Sequence, residues 1–179
     1  RSLRNNGIDH FHYGLLTPHL MPDSQPTPAT NPLSPQALLL AQDLVRMNTV
    51  SRNSNLELIH HLRDHLATLG VPCRITRSAD GQKANLFATL GAGKPHGLIL
   101  SGHTDTVPWD GQDWTLEPLG AELRDGRLYG RGSADMKGFI ALAVAQARHY
   151  LEADLPYAIH YAFSYDEEVG CFGVRELIA

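Results

Sequence analysis

The sequence has little of what disulfide-rich, membrane-spanning and nucleic-acid-binding proteins require. Its two cysteines, Cys73 and Cys171, form no CxxC pair and are few for a secreted scaffold, which favours a reduced, cytoplasmic setting. No apolar run approaches the roughly 18 residues of a membrane span. The formal net charge of −4 gives no support for a nucleic-acid or anionic-membrane partner. These absences leave an ordinary globular protein.

The composition supports one folded domain preceded by an arm. The chain has 179 residues, of which 42% are hydrophobic and 19% charged, enough to bury a substantial core. Residues 1–33, by contrast, show no helical or strand periodicity, and prolines interrupt them repeatedly. We expect a disordered arm or sequence from upstream of the native start, for which Met21 is the candidate. His10 and His12 lie in this arm, and we expect no metal site there.

From Ser34 onward, helical and strand patterns alternate. Ser34 followed by Pro35 is typical of a helix start, and a second helix is predicted from Ser54 to Gly70. Further helices are predicted over residues 136–152 and from residue 171 onward. Strands are predicted over residues 71–77, 84–90, 97–101 and 157–165, with a short hairpin around residues 125–126. This alternation predicts an α/β fold with a mixed, mostly parallel sheet and helices on both faces.

Side chains that can bind a metal ion follow the predicted strands. His103 comes directly after an apolar run, and Glu167 and Glu168 follow the last predicted strand. Asp135 lies in a glycine-rich loop at the start of a helix. Because sites in open α/β sheets form beyond the carboxyl ends of strands, we expect these residues to converge. A mixed set of histidine and carboxylates suits Zn²⁺, Co²⁺ or Mn²⁺.

Two further features support a metal site. The adjacent carboxylates of Glu167 and Glu168 would be costly in a partly buried turn, and a cation removes that cost. Asp105 lies two residues after His103, so in extended backbone both side chains point to the same face. Asp105 can therefore hydrogen-bond the imidazole and fix its tautomer.

Other interpretations of polar residues are weaker. Residues 130–133 read GRGS and suggest a phosphate loop, but no GxxxxGK[ST] motif is present. We expect Arg131 and Lys137 to pair with local carboxylates or with backbone. His61 and His65 are four residues apart on a predicted helix, but no third ligand accompanies them, so we assign them to a solvated face.

Taken together, the motifs resemble a known family. GHTDTVP from Gly102, the segment Trp114–Leu119, DGRLYGRGSADMKG and DEEVG resemble the metallopeptidases that include acetylornithine deacetylase and succinyl-diaminopimelate desuccinylase. The resemblance runs from residue 34 to residue 179, and HTDTVP and ADMKGF are most similar to acetylornithine deacetylase. It implies a zinc-exopeptidase-like catalytic domain of which residues 34–179 are the N-terminal portion. The lid and dimerisation domain, and two further metal ligands, would lie beyond these residues.

The resemblance also implies a role for each site residue. His103 would bind one metal ion, Asp135 would bridge two, and Glu168 would bind the second. Glu167 would be the general base, and Asp105 would orient His103. The cofactor would be two Zn²⁺ ions per active site, with Co²⁺ possible, and the peptide bond after Asp135 would be cis.

The implied function is hydrolysis of an amide. The expected reaction converts N-acetyl-L-ornithine to ornithine and acetate in arginine biosynthesis, carried out by a cytoplasmic enzyme that is a homodimer when complete. Desuccinylation of succinyl-diaminopimelate and dipeptide hydrolysis are alternative chemistries on a small N-acyl amino acid or peptide. An alternative of another class is a non-catalytic fragment that acts as a binding module, since this chain alone is expected to be inactive.

Overall fold

The structure is a computed structural model that describes residues 34–178. The predictions for the arm, for His10 and His12 and for a start at Met21 lie outside the described residues. The elements of the described part, in chain order, are α1 Pro35–Arg46, α2 Leu56–Ala67, β1 Cys73–Arg77, β2 Ala84–Leu90, β3 Gly97–His103, β4 Glu122–Arg124, β5 Arg127–Tyr129, α3 Lys137–Ala145, α4 Ala147–Glu152, β6 Ala158–Ser164 and α5 Phe172–Ile178.

The first helix begins where its capping residues predict. The Ser34 hydroxyl accepts a hydrogen bond from the backbone N–H of Ala37 at 3.2 Å, and Pro35 occupies the first turn, where its missing N–H costs nothing. The apolar stripe of α1 is buried through Leu40 and Leu44. The predicted helix start at Ser34 is therefore confirmed.

Four strands form one mixed sheet in the order β1-β2-β6-β3, and β4 and β5 form a separate antiparallel hairpin. The α/β class and the mixed sheet are confirmed. The expectation of a mostly parallel sheet is not met by the described strands, because only β3 and β6 pair in parallel. A short turn joins β1 to β2, and a connection of that length permits only antiparallel pairing.

Helices cover both faces of this sheet, as predicted. Leu86 of β2 is buried in the main core with residues of α1, α2 and α3, including Leu44 and Ile140. The neighbouring Asn85 points to the opposite face, where its side-chain amide donates to the carbonyl of Gly173 in α5 at 2.8 Å. Because successive side chains of a strand alternate between faces, these two contacts place α5 opposite the other helices.

Several elements differ from their predicted bounds, and the differences at α3 and β3 have clear physical causes. The helix predicted over residues 136–152 is divided at Gln146, whose φ of −83° and ψ of −3° tighten the last turn of α3 before α4 begins. Strand β3 continues to His103 because its parallel ladder with β6 extends to the pair His103 and Ser164. His103 therefore ends the strand and does not follow it.

Among the helices of residues 34–178, none combines the length and the apolar character that crossing a membrane requires. Both cysteines are free thiols, with Cys73 half-buried and Cys171 exposed. Burial raises the pKa of the Cys73 thiol to about 11.

We predict that iodoacetamide at pH 8 modifies Cys171 and leaves Cys73 largely unmodified. At that pH only about one Cys73 side chain in a thousand is the reactive thiolate, given its raised pKa. Peptide mass spectrometry over a time course measures both rates, and unfolding in guanidinium should remove the difference. Equal rates in the folded protein would contradict the packing of β1.

Candidate metal centre

The site is assembled at the carboxyl ends of β3 and β6. The parallel ladder aligns His103 with Ser164, and the Thr104 N–H continues it by donating to the Ser164 carbonyl at 2.8 Å. The turn that follows β6 carries Glu167 and Glu168. Because both strands end at the same edge of the sheet, residues more than 60 positions apart in sequence become neighbours.

Two of the predicted ligands, His103 and Glu168, meet at this edge together with Glu167, the predicted base. Candidate ligand atoms of His103, Glu167 and Glu168 lie within 4.8 Å of one another. His103 Nε2 lies 3.0 Å from Asp135 Oδ1 and 3.8 Å from Glu167 Oε2. The His103 side chain is 7% exposed, whereas that of Asp135 is 77% exposed, so the histidine forms the floor of the site.

The backbone fixes the orientation of the imidazole. His103 Nδ1 lies 3.0 Å from the carbonyl oxygen of Asp105. A carbonyl oxygen can only accept, so Nδ1 carries the hydrogen and donates. Nε2 consequently faces the carboxylates of Asp135 and Glu167 and is the nitrogen available to a metal ion.

Asp105 has a different role from the one its spacing predicts. Its carboxylate Oδ1 is 3.6 Å from His103 Nδ1, which is longer than a hydrogen bond, and its carbonyl orients the ring instead. The buried carboxylate accepts hydrogen bonds from the backbone N–H groups of Glu167 at 3.1 Å and Glu168 at 3.3 Å. Asp105 thus contacts both the imidazole of His103 and the turn that carries Glu167 and Glu168.

Ser51 is a residue that the sequence analysis missed. Its hydroxyl donates to Asp105 Oδ2 at 2.7 Å, and both side chains are buried. Ser51 comes from the segment between α1 and α2, 54 residues before Asp105. Nothing in the local sequence distinguishes it from an ordinary turn serine, and only the tertiary fold reveals the contact.

The loop that carries Asp135 is fixed by close packing. A Cβ atom at Gly132 would lie 2.8 Å from the Thr106 side chain, so this glycine is needed for the close approach of the two segments. Lys137 is fully buried, and its ammonium donates to the carbonyl of Met47 at 2.6 Å, which confirms the predicted backbone pairing. Burial lowers the pKa of Lys137 to about 8. The peptide bond after Asp135 is cis, as the resemblance implied.

The side-chain partners of Arg131 differ from the predicted ones. Its guanidinium donates to the side-chain oxygen of Gln112 at 2.8 Å and lies 4.9 Å from the centre of the Trp114 ring. The partners are therefore an amide and an indole, not a carboxylate or the backbone. These contacts tie the loop after His103 to the loop before α3.

The electrostatics of the site favour a bound cation. Burial by itself lowers the pKa of His103, but the hydrogen bonds to Asp105 and Asp135 outweigh it and raise that pKa to about 9. Burial raises the pKa of Asp105, yet the nearby imidazole of His103 and the hydrogen bonds from Ser51 and from the N–H groups of Glu167 and Glu168 hold that pKa below its ordinary value. The pKa of Glu168 is raised by burial and by the neighbouring carboxylates. The site therefore concentrates negative charge that a divalent cation would neutralise.

The donor set fits a divalent transition metal. One imidazole nitrogen and several carboxylate oxygens converge, which is the ligand chemistry of Zn²⁺, Co²⁺ or Mn²⁺. Beside Glu168 lies a mainly apolar cavity of about 180 Å³, whose walls include Val50, Val107, Pro108 and Val169. The cavity provides room for a small organic group next to the candidate metal ligands.

We predict that His103→Ala and Glu168→Ala each weaken Zn²⁺ binding at least about tenfold, because each removes a candidate ligand. Competition with a chromogenic chelator measures the dissociation constants. His149→Ala, at an exposed histidine of α4, is the matched control and should bind zinc as the unaltered chain does. Unchanged affinity in His103→Ala would contradict the assignment.

The sequence of this site matches a known family. The sequence model described as Peptidase family M20/M25/M40 matches residues 99–179. An acetylornithine deacetylase from Proteus mirabilis is 41% identical over 127 residues, covering 70% of this chain and 33% of the relative. A succinyl-diaminopimelate desuccinylase from Parvibaculum lavamentivorans is 40% identical over 146 residues, covering 79% of this chain and 36% of the relative.

A solved structure shares the fold. The M20 family metallo-carboxypeptidase Sso-CP2 from Sulfolobus solfataricus superimposes with a TM-score of 0.71 at 21% identity, covering 80% of this chain and 33% of that one. The chain thus spans about a third of the length of the curated relatives it matches. The match to the sequence model of peptidase family M20/M25/M40 spans residues 99–179, which include every candidate ligand described above.

Proposed function

We propose that the protein is a metal-dependent hydrolase that removes the acetyl group from N-acetyl-L-ornithine. The observation that carries this proposal is the convergence of His103, Asp135, Glu167 and Glu168 at one sheet edge, within a segment that matches a peptidase family. In this proposal, residues 34–179 are the N-terminal portion of the catalytic domain. Arginine biosynthesis, a cytoplasmic location and a homodimeric complete enzyme are part of the same proposal.

The residues divide into ligands and a base. His103 Nε2, Asp135 and Glu168 would hold two Zn²⁺ ions, or Co²⁺. When bound, the ions supply Lewis acidity towards the amide carbonyl and make a nearby water more acidic. Glu167 is left for proton transfer, since its side chain is 46% exposed on the open side of the site.

Glu167 moves one proton through the reaction. Its carboxylate takes a proton from water as the water oxygen attacks the acyl carbon, and it then gives that proton to the amine nitrogen as the C–N bond breaks. Acetate and the free amine are the products. Asp105 holds the backbone N–H of Glu167 at 3.1 Å, and this contact fixes the base relative to His103.

Desuccinylation is the second candidate reaction. The desuccinylase and the deacetylase relatives match this chain at 40% and 41% identity, so identity does not separate them. Both reactions hydrolyse an amide of a small amino acid, and the chemistry proposed for Glu167 serves either one. An activity assay therefore has to determine which acyl group, acetyl or succinyl, the enzyme removes.

We predict that Glu167→Gln lowers kcat at least about a hundredfold, because the amide cannot accept the proton, while the affinity for Zn²⁺ changes little. Release of ornithine from N-acetyl-L-ornithine by the complete protein measures kcat, and chelator competition measures the affinity for Zn²⁺. Full activity in Glu167→Gln would show that another group is the base.

A parallel assay with N-succinyl-diaminopimelate decides between the two substrates. The proposal expects a kcat/KM at least tenfold higher for N-acetyl-L-ornithine, a margin of about 1.4 kcal/mol in transition-state stabilisation. A reversed preference would replace deacetylation by desuccinylation. Zinc binding without turnover of either substrate would favour the non-catalytic binding module.

A further inference from the structure

We infer that Lys83 is a positioning residue for the metal centre, although it contacts none of the candidate ligand side chains. The ammonium of Lys83 donates to Asp166 Oδ1 and to the backbone carbonyl of Ser51, both at 2.5 Å. The side chains of Lys83 and Asp166 are only 17% and 14% exposed. Such a pair is shielded from solvent, unlike most surface ion pairs.

Asp166 immediately precedes the two glutamates. It adopts a φ of +56°, the left-handed conformation that non-glycine residues rarely take. From this position its carbonyl accepts the N–H of Phe172 at 3.2 Å, which closes the turn that contains Glu167 and Glu168. The Lys83 ion pair therefore anchors the first residue of this turn in a conformation that the isolated backbone disfavours.

The second contact of Lys83, with the Ser51 carbonyl, also supports the turn that contains Glu167 and Glu168. Ser51, whose carbonyl accepts from Lys83, donates its hydroxyl to Asp105 Oδ2 at 2.7 Å. Asp105 in turn accepts the N–H groups of Glu167 and Glu168. One ammonium thus links the side chain of Asp166 to the segment that orients Asp105.

These contacts give Lys83 an indirect effect on metal binding. Loss of the ammonium leaves the Asp166 carboxylate without its partner and removes one contact of Ser51, so the backbone of Glu168 is held less firmly. Outer residues that orient metal ligands typically change affinity about 10- to 100-fold when replaced. The inference rests on the proposed function, because it takes Glu168 as a ligand.

The test measures the Zn²⁺ dissociation constant of the complete protein by competition with a chromogenic chelator. Lys83→Met keeps the length of the side chain and removes its charge, and we expect zinc binding at least tenfold weaker. Lys83→Arg keeps the charge and can still donate to both acceptors, and we expect affinity within about threefold of the original chain. Lys94→Met is the matched control, because Lys94 pairs at 2.9 Å with an Asp154 side chain that is 90% exposed.

A positioning role is separated from general stabilisation by a second measurement. The free energy of unfolding is determined for each variant in the presence of EDTA, which removes the contribution of zinc. A purely structural lysine would lower this stability and leave the zinc affinity of the folded chain unchanged, and that result would overturn the inference. Recovery of affinity in Lys83→Arg would support it.

The remaining outcomes are also decisive. If Lys83→Met does not fold, Asp166→Asn, which keeps the shape of the side chain, replaces it; tenfold weaker zinc binding supports the inference and unchanged binding overturns it. If the original chain binds zinc and Lys83→Met binds it equally well, the inference fails while the proposed metal centre stands. If the complete protein, which includes the two further ligands that the resemblance implies, binds no zinc, the proposed metal centre itself fails, and the inference fails with it.

Discussion

The parallel pairing of β3 with β6 is the interaction on which the site depends. It is the one parallel ladder among the described strands, and it aligns His103 with Ser164. A shift of one residue in this register would turn His103 to the other face of the sheet and separate it from Glu167. The remaining contacts of the site adjust residues that this ladder has already brought together.

Asp105 is the second constraint, and it acts through two chemically different groups. Its carbonyl accepts from the imidazole, while its carboxylate accepts from the turn after β6 and from Ser51. Because the carboxylate is buried and receives several donors, it remains ionised and adds negative charge beneath the cation site. One residue therefore sets both the geometry and the electrostatic field of the centre.

Much of this arrangement could be predicted from the sequence because the signals are local. A serine–proline start, the apolar strands and the polar residues at their ends identified the elements and placed His103, Asp135, Glu167 and Glu168 near one another. The direction of strand pairing was predicted less well. The short turn between β1 and β2 permits only antiparallel pairing, but β2 and β6, which also pair antiparallel, lie far apart in sequence and carry no local mark of it. The contacts of Ser51 and Lys83 were missed because they join segments far apart in sequence, and neither residue type is unusual at its position.

The long sequence separation of the site's parts has a thermodynamic consequence. His103 and Glu168 approach one another only when β3 and β6 are paired, so an unfolded chain presents these groups scattered along its length. A cation that binds the proposed centre would therefore bind the native chain in preference to the unfolded one, and the fold would gain stability as the free cation concentration rises. The supply of metal in the surroundings would then help to decide what fraction of this protein is folded.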